Sequence, residues 1–568
     1  MSSKLASLIK VARGESAADL VLANVRVINV FTGEIEAGNV AIYDGKIAGV
    51  GDYHQAKQII DLKGKYLAPS FINGHTHIES SMLDIDQYAR MVVPRGTLAV
   101  VTDLHELANV SGLTGIRYIL DSARRLPLNL FLMAPSCVPA THLETSGAFL
   151  DSEVLRRILR WRGVIGLGEV MNFPGVISSE NNLLAKISLS KGRVVDGHAP
   201  GLSGKDLTAY IAAGIYSDHE SVSLKEAKEK LRQGMYLMIR EGSSEKNLDS
   251  LLPLVTDKTY KRCFFVVDDR SCRDLLRDGD IDAVVRKAIS RGLEPVRAVT
   301  LATLNTAEYF GLKNLGAIAP GYMANLIVIS ELSSLKIDMV FHRGRLVAKQ
   351  GEPLFSPNKL GSKRLLNTVH IKPFTVEALR LMALTENRLV IEVVPDQIIT
   401  KKRLEKVKIT NGVIQTDTSR DILKLVVAER HRASGNIGLG LVMGFGLKYG
   451  ALVSSISHDS HNIIAVGTND EDIFRGIKEI EKLKGGLTVV ADGKILGSLA
   501  LPVGGLLSDE PAEIVASKLE TLEALAKSLG VKLPSPFATL SFLALPVIPQ
   551  LRLTDLGLID VNAFQLIE

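Results

Sequence analysis

His75 and His77 are separated by one residue and follow an apolar run, Leu67-Ala-Pro-Ser-Phe-Ile-Asn-Gly. Side chains at i and i+2 of an extended segment point to one face, so this pair can offer two imidazoles to a single metal ion. Comparable residues stand just past five further apolar runs: Asp103, His105 and Glu106; Glu169; His198; Asp218, His219 and Glu220; and Asp268 with Asp269. Imidazole and carboxylate together suit Zn, Mn or Fe(II). Taken singly, each has a plainer reading, since a lone histidine after a strand is usually a surface or hydrogen-bonded core residue and paired carboxylates often cap helices. The coincidence at run after run favours a metal centre built from His75, His77, Glu169, His198, His219 and Asp268. Asp103 and Glu106 fit an acid/base role or a cap equally well. Strict alternation turns His105 away from a site that both neighbours face.

Such a centre needs a scaffold that gathers strand ends. Between residues 67 and 315, short apolar runs at 67–72, 98–102, 128–133, 164–168, 193–196, 215–217, 236–240 and 263–267 alternate with longer amphipathic stretches. Eight candidate strands in about 250 residues is the size and strand count of a (β/α)8 TIM-like barrel, whose catalytic groups sit at the C-terminal ends of its strands. On either side, residues 18–66 and 316–351 share a texture of alternating strands and Gly or Asp-Gly turns. They read as two parts of one small β-sandwich domain closed around the barrel segment, the first part preceded by an N-terminal helix within 1–66. Pro353, Pro357, Asn358 and Pro373 mark a linker over 352–373, so that the second part with its linker spans 316–373. A third, α+β region follows at 374–568, with turn signals at Asn411-Gly412 and Asp492-Gly493 and a charged helix over 471–484. Its Gly-rich stretch at 435–446 lacks the strand-to-helix context of a phosphate-binding loop.

Composition narrows the classes. A chain of 568 residues exceeds one hydrophobic core. Its 67 Lys+Arg against 62 Asp+Glu leave a net +5 that is spread along the sequence, which argues against a nucleic-acid partner. Cys137, Cys263 and Cys272 form no paired framework, fit a reducing compartment and read as buried small apolar residues. The first 14 residues lack the apolar core of a secretory signal, and nowhere is there the roughly 20-residue uncharged apolar span of a membrane helix. A cytoplasmic location with no membrane partner is the expectation.

The motifs themselves resemble a known family. Pro69-Ser-Phe-Ile-Asn-Gly-His-Thr-His77 is similar to the amidohydrolase superfamily signature. Closer likeness, to its adenine deaminase branch of bacterial and archaeal type, lies in Ile78-Glu-Ser-Ser81, Thr102-Asp-Leu-His-Glu106, Gly168-Glu-Val-Met-Asn172, Asp196-Gly-His-Ala-Pro200, Ser217-Asp-His-Glu220, Arg240-Glu-Gly-Ser243, Asp268-Asp-Arg270 and His458-Asp-Ser-His-Asn462. The resemblance covers nearly the whole chain. It implies hydrolysis of adenine to hypoxanthine and ammonia, a purine-salvage reaction, by a binuclear site holding Mn2+ or Fe2+, with Zn2+ chemically acceptable. It implies His75, His77 and Asp268 on one ion, His198 and His219 on the other and Glu169 as the bridge, where many relatives have a carboxylated lysine. Asp268, Glu106 and Asp103 are then the acid/base candidates. Asp269, Glu79, Ser80 and His461 fall on the substrate side, while His458, Asp459 and His461 read equally as a hydrogen-bonded loop within the third region or as part of a cover folded over the barrel mouth. A homo-oligomer is common for such enzymes. The alternatives are a cyclic amide or imide hydrolase of the dihydroorotase or hydantoinase kind, and an inactive binding homologue, which would require a missing ligand.

Overall fold

The computed structural model describes residues 2–357, 363–383, 385–395 and 397–567. Asn358 and the rest of 358–362 in the expected linker lie outside the described residues.

The flanking β segments share one sheet. Its nine strands run in the order Glu352–Pro353, Arg345–Lys349, Lys336–His342, Leu326–Glu331, Tyr66–Pro69, Ala18–Asn29, Glu34–Tyr43 and Lys46–Gly51, with Ala56–Asp61 also paired to Ala18–Asn29. The junction between the two halves is Tyr66–Pro69, antiparallel to Leu326–Ile329 on one side and parallel to Arg26–Val27 on the other. Leu20, Val27, Val40 and Ile47 from the first half pack with Leu326, Val328 and Phe341 from the second. Burying residues from both flanks in one cluster ties the ends of the intervening segment together.

That intervening segment is mixed α/β with parallel ladders. Phe71–Asn73, Thr97–Thr102, Asn129–Ala134, Val164–Val170 and Val194–Gly197 pair in this order, each parallel to its neighbour. Ser217–Asp218, Tyr236–Arg240 and Cys263–Val266 form a second parallel sheet, and Asp268–Asp269 pairs with Thr76–His77. Between the two larger sheets the connection is made by a side chain: the Gly197 N–H donates to Ser217 Oγ at 3.2 Å, and Ser217 donates to Asp196 at 3.1 Å. The apolar run at 67–72 departs from expectation by serving two sheets. Pro69 has no N–H to continue a ladder. Ser70 instead donates to Asn325 O at 3.0 Å, and Phe71 donates to Gly96 O at 2.9 Å to open the parallel ladder.

Beyond the linker, eight strands between Asn387 and Ala500 form a largely antiparallel sheet. The helix Asp470–Leu483 lies against it, N-capped by Asn469 and opening on three acidic residues that complement its dipole, close to the expected 471–484. A further helix spans Ala512–Ser528. This region packs directly on the α/β segment: Ser508 donates to Met82 O at 2.7 Å and accepts from Asp84 N at 3.1 Å, and Leu107 shares a core with Leu506 and Leu507. Two fully buried guanidiniums brace it through backbone carbonyls. Arg430 donates to the carbonyls of His461 and Gly504, and Arg552 to that of Ile398 at 2.6 Å. No helix among the described residues is long and apolar enough to cross a membrane.

Candidate functional site

The parallel strands deliver their C-terminal ends to one place. His75, His77, Asp103, Glu169, His219 and Asp268 are each no more than 5 % exposed. Asp268 Oδ1 lies 3.3 Å from His75 Nε2 and 3.0 Å from His77 Nε2. Its backbone takes the left-handed conformation, φ +60, which is less costly for Asp than for most residues and turns the carboxylate inward after the strand has ended. Glu169 faces two ways. Its Oε1 is 3.4 Å from His77 Nε2, while its Oε2 is 2.9 Å from His198 Nδ1 and 3.4 Å from His219 Nε2. His75 sits between the sets, its ring stacked on His219 with centroids 4.3 Å apart.

Two residues outside the expected ligand set complete this layer. Arg240 donates to Glu220 at 2.5 and 3.2 Å and to Asp268 Oδ2 at 2.7 Å. Glu220 Oε1 in turn lies 3.3 Å from His219 Nε2. Both belong to motifs visible in the sequence, but only the fold reveals that the strand Tyr236–Arg240 ends in the counterion of two neighbouring strands.

His105 corrects a prediction. Instead of pointing away, it places Nδ1 3.0 Å from both Asp103 oxygens and 3.7 Å from Glu169 Oε1. Strand alternation stops at Thr102; Leu104 is left-handed at φ +54, and His105 is the first residue of the helix His105–Ser111, so helical geometry sets its direction.

At Glu106, the next residue of that helix, the α/β segment meets the C-terminal region. His458 Nδ1 is 3.4 Å and His461 Nε2 3.8 Å from the Glu106 carboxylate. Ser80 hydrogen-bonds Asp269 and lies 3.5 Å from Glu106 Oε1. Glu79 accepts the Leu107 N–H at 3.1 Å. A cavity of about 550 Å³ between the two regions is lined by Ser80, Glu106, Asp269 and His458. A smaller pocket of about 50 Å³ lies directly against His77, Glu169, His198, His219 and Asp268, and Glu106, Asp269 and His458 line both. Ile398, Phe542, Leu545 and Ile548 give this inner pocket an apolar roof from the C-terminal region. Phe542 stacks on His458 with centroids 4.5 Å apart. Glu79 and His461, expected to face substrate, are absent from the described residues that line either space. They stand behind Glu106, because the 3-10 turn Ile78–Ser81 brings Ser80 rather than Glu79 to the cavity wall.

Electrostatics match a cation site. Glu220 and Asp268 share the Arg240 guanidinium, whereas Asp103 and Glu169 face imidazoles. Burial opposes ionisation of Glu169 and Asp268, but hydrogen bonds from the surrounding imidazoles hold both well below the usual carboxylate range. Asp103 and Asp268 lift His77, and Glu169 and Glu220 lift His219, well above 6.5 against their burial. Buried His75 Nε2, His77 Nδ1 and His219 Nδ1 have no hydrogen-bond partner. Of these, His75 Nε2 faces the carboxylate cluster beside Asp268, and an orphaned imidazole nitrogen there suits a divalent cation and gains nothing from an apolar ligand. For Glu106, burial dominates, and with Glu79 and Asp269 nearby its pKa is pushed up to about 8 despite His458.

Residues 66–347 match the amidohydrolase family, the class of hydrolase that this mouth of histidines and carboxylates defines. Residues 397–565 match the adenine deaminase C-terminal domain. The chain belongs to the adenine deaminase family: it is 62% identical over 567 residues to an adenine deaminase of Dehalococcoides mccartyi, covering 100% of this chain and 99% of that one. It is also 49% identical to adenine deaminase 2 of Carboxydothermus hydrogenoformans, over 99% and 98% of the two chains. With the adenine deaminase of Halalkalibacterium halodurans it shares 45% identity, over 100% and 98%.

Proposed function

We propose that the protein hydrolyses adenine to hypoxanthine and ammonia. The observation that carries the substrate is similarity along the entire chain, C-terminal region included, to proteins named adenine deaminase. In this reading residues 67–315 are a (β/α)8 barrel, 1–66 and 316–373 make the flanking β domain with its linker, and 374–568 form the cover. His75, His77 and Asp268 would hold one cation and His198 and His219 a second, with Glu169, whose oxygens face different imidazoles, available to both. Mn2+ and Fe2+ are the favoured ions, with Zn2+ acceptable.

A divalent cation bound there lowers the pKa of water from about 15.7 towards 7. The residues do the rest. Asp268 Oδ1 takes the proton of the water that adds to C6, while Oδ2 stays fixed by Arg240. Glu106, protonated at neutral pH by its burial, supplies the proton that a ring nitrogen needs as C6 becomes tetrahedral. As the C6–N6 bond breaks, the proton held by Asp268 passes to the departing amine and the C6 hydroxyl proton returns to Glu106, leaving neutral hypoxanthine and ammonia. Asp269 and Ser80 hydrogen-bond the purine edge from the cavity wall. His461 and Glu79 hold Glu106 in place. Asp103, 3.4 Å from His77 Nδ1 and 3.0 Å from His105 Nδ1, fixes both rings. The apolar roof excludes bulk water.

The test is ammonia release from adenine, adenosine and guanine, with dihydroorotate and hydantoin as controls, after reconstitution with Fe2+, Mn2+ or Zn2+. Turnover of adenine alone is expected. Activity on none of the purines overturns the reading, and turnover of the cyclic amides would transfer it to the amide hydrolases.

A further inference from the structure

The proposed deamination leaves a second group of donors unused. Nδ1 of His105 is held by Asp103 at 3.0 Å, whereas its Nε2 points the other way, 3.7 Å from Asp459 Oδ2. Cys137 joins them: one donor atom from each of His105, Cys137 and Asp459 lies within 4.8 Å of the other two. All three residues are at least nine-tenths buried, at 3 %, 5 % and 2 % exposure. Asp459 Oδ2 is buried and has no hydrogen-bond partner. A carboxylate oxygen left in that state costs on the order of 1–3 kcal/mol or more, which a bound cation would offset.

We propose that His105 Nε2, Cys137 Sγ and Asp459 Oδ2 form a further cation site, separate from the cluster around Glu169 and suited to a borderline transition metal such as Zn2+, Fe2+ or Co2+. The donor chemistry supports that class, because a thiolate selects against Mg2+ and Mn2+. Geometry supports it too. Zn–N and Zn–O bonds of about 2.0–2.2 Å put two tetrahedral ligands roughly 3.4 Å apart, so a separation of 3.7 Å closes with a shift of a few tenths of an ångström. Asp103, on the opposite ring nitrogen, fixes the tautomer that frees Nε2, an arrangement of carboxylate, imidazole and metal common around bound ions. On binding, the Cys137 thiol loses its proton to solvent and the S–metal bond forms, with no change in oxidation state. Both His105 and Asp459 line the inner pocket, which leaves a fourth position for water. The three donors come from three separated segments, so the ion would clip the C-terminal cover to the α/β segment beneath it.

The test is cobalt titration of the full-length, metal-stripped protein, read by bound cobalt and by absorption, and it needs no adenine turnover. The expected result is a thiolate-to-cobalt charge-transfer band in the wild type. Cys137→Ser abolishes that band and binds about one Co2+ per chain fewer. Asp459→Asn keeps the thiol but raises the cobalt needed for half the band about tenfold or more. His198→Asn lowers cobalt at the main cluster and leaves the band intact, so failure of one site is distinguishable from failure of the other. Circular dichroism confirms folding of each variant, and Asp459→Asn carries the test if Cys137→Ser does not fold. Absence of the band from the wild type, or its survival in Cys137→Ser, overturns the proposal.

Discussion

Replacing Arg240 by Met keeps most of the stem volume and removes the charge that Glu220 and Asp268 share. The guanidinium lies 2.5 Å from Glu220 Oε1 and 2.7 Å from Asp268 Oδ2, with all three side chains buried. At an effective dielectric of about 20, a unit pair 4 Å apart is worth about 4 kcal/mol, so two pairs amount to roughly 8 kcal/mol before the cost of burying the guanidinium. Breaking a buried pair by removing one partner typically costs about 3–5 kcal/mol net, and that is the destabilisation expected for Arg240→Met in metal-free protein at neutral pH. Without Arg240, the folded pKa of Glu220 rises from its depressed value, and that of Asp268 rises less because the His75 and His77 imidazoles still hold it down. The penalty therefore builds from the depressed folded values of the wild type, well below about pH 4, up to the raised values of the variant and stays constant beyond them. Arg240→Lys retains the charge without the fork and should recover part of the loss. Urea denaturation of the chelated wild type and both variants at pH 5 and pH 7.5 reads this directly. A difference under about 1 kcal/mol between wild type and Arg240→Met at pH 7.5 would show that Arg240 is not the counterion of this cluster.

Other consequences are equally open to measurement. Glu106→Gln is expected to lower kcat about 10²–10⁴-fold with a smaller change in KM. In the wild type, kcat/KM should fall as pH rises through about 8, where Glu106 loses its proton, and a profile unchanged by the substitution would remove Glu106 from the chemistry. Because Asp103 and Asp268 hold His77, and Glu169 and Glu220 hold His219, well above 6.5, metal-free protein carries protons on these rings at pH 7. Loading a divalent cation should then release about one proton or more per chain into a weakly buffered indicator solution; no release contradicts the ligand set. The same raised values make the contribution of these two rings to metal-free stability full below 6.5 and lost as the pH rises through their folded values, a decline the loaded protein should not share. Phe542→Ala removes the ring stacked on His458 and part of the pocket roof, and should raise KM for adenine about tenfold with less effect on kcat; steady-state kinetics that show neither change would place substrate elsewhere.

The residues that converge were legible because chemistry and periodicity pointed the same way. His75, His77, Glu169, His198, His219 and Asp268 each follow an apolar run, and parallel strands bring such ends together. What stayed hidden depends on local breaks in those patterns. His105 was misdirected because a strand's period of two was carried across Leu104, whose left-handed backbone starts a helix. Arg240 reads as the last residue of a strand, and nothing in its own neighbourhood says that two carboxylates await it. The exchange of sheets at Pro69 leaves no mark on hydrophobicity, since both halves of the run are buried. The roof over the pocket is a contact between segments several hundred residues apart, and long-range packing of that kind has no signature in composition.

The nine-stranded sheet that joins both flanks also constrains the order in which the chain can be finished as it leaves the ribosome. Tyr66–Pro69 pairs with Arg26–Val27 early, but its other edge waits for Leu326–Ile329. At ~5–20 residues per second, the roughly 260 residues between them take on the order of 10–50 s to synthesise. Throughout that interval an unpaired edge of apolar strand lies open, a template for mispairing with other nascent chains. His75 and His77 follow it by a few residues, so the first donors of the metal cluster to be translated are anchored to a strand whose second partner comes only after the rest of the α/β segment.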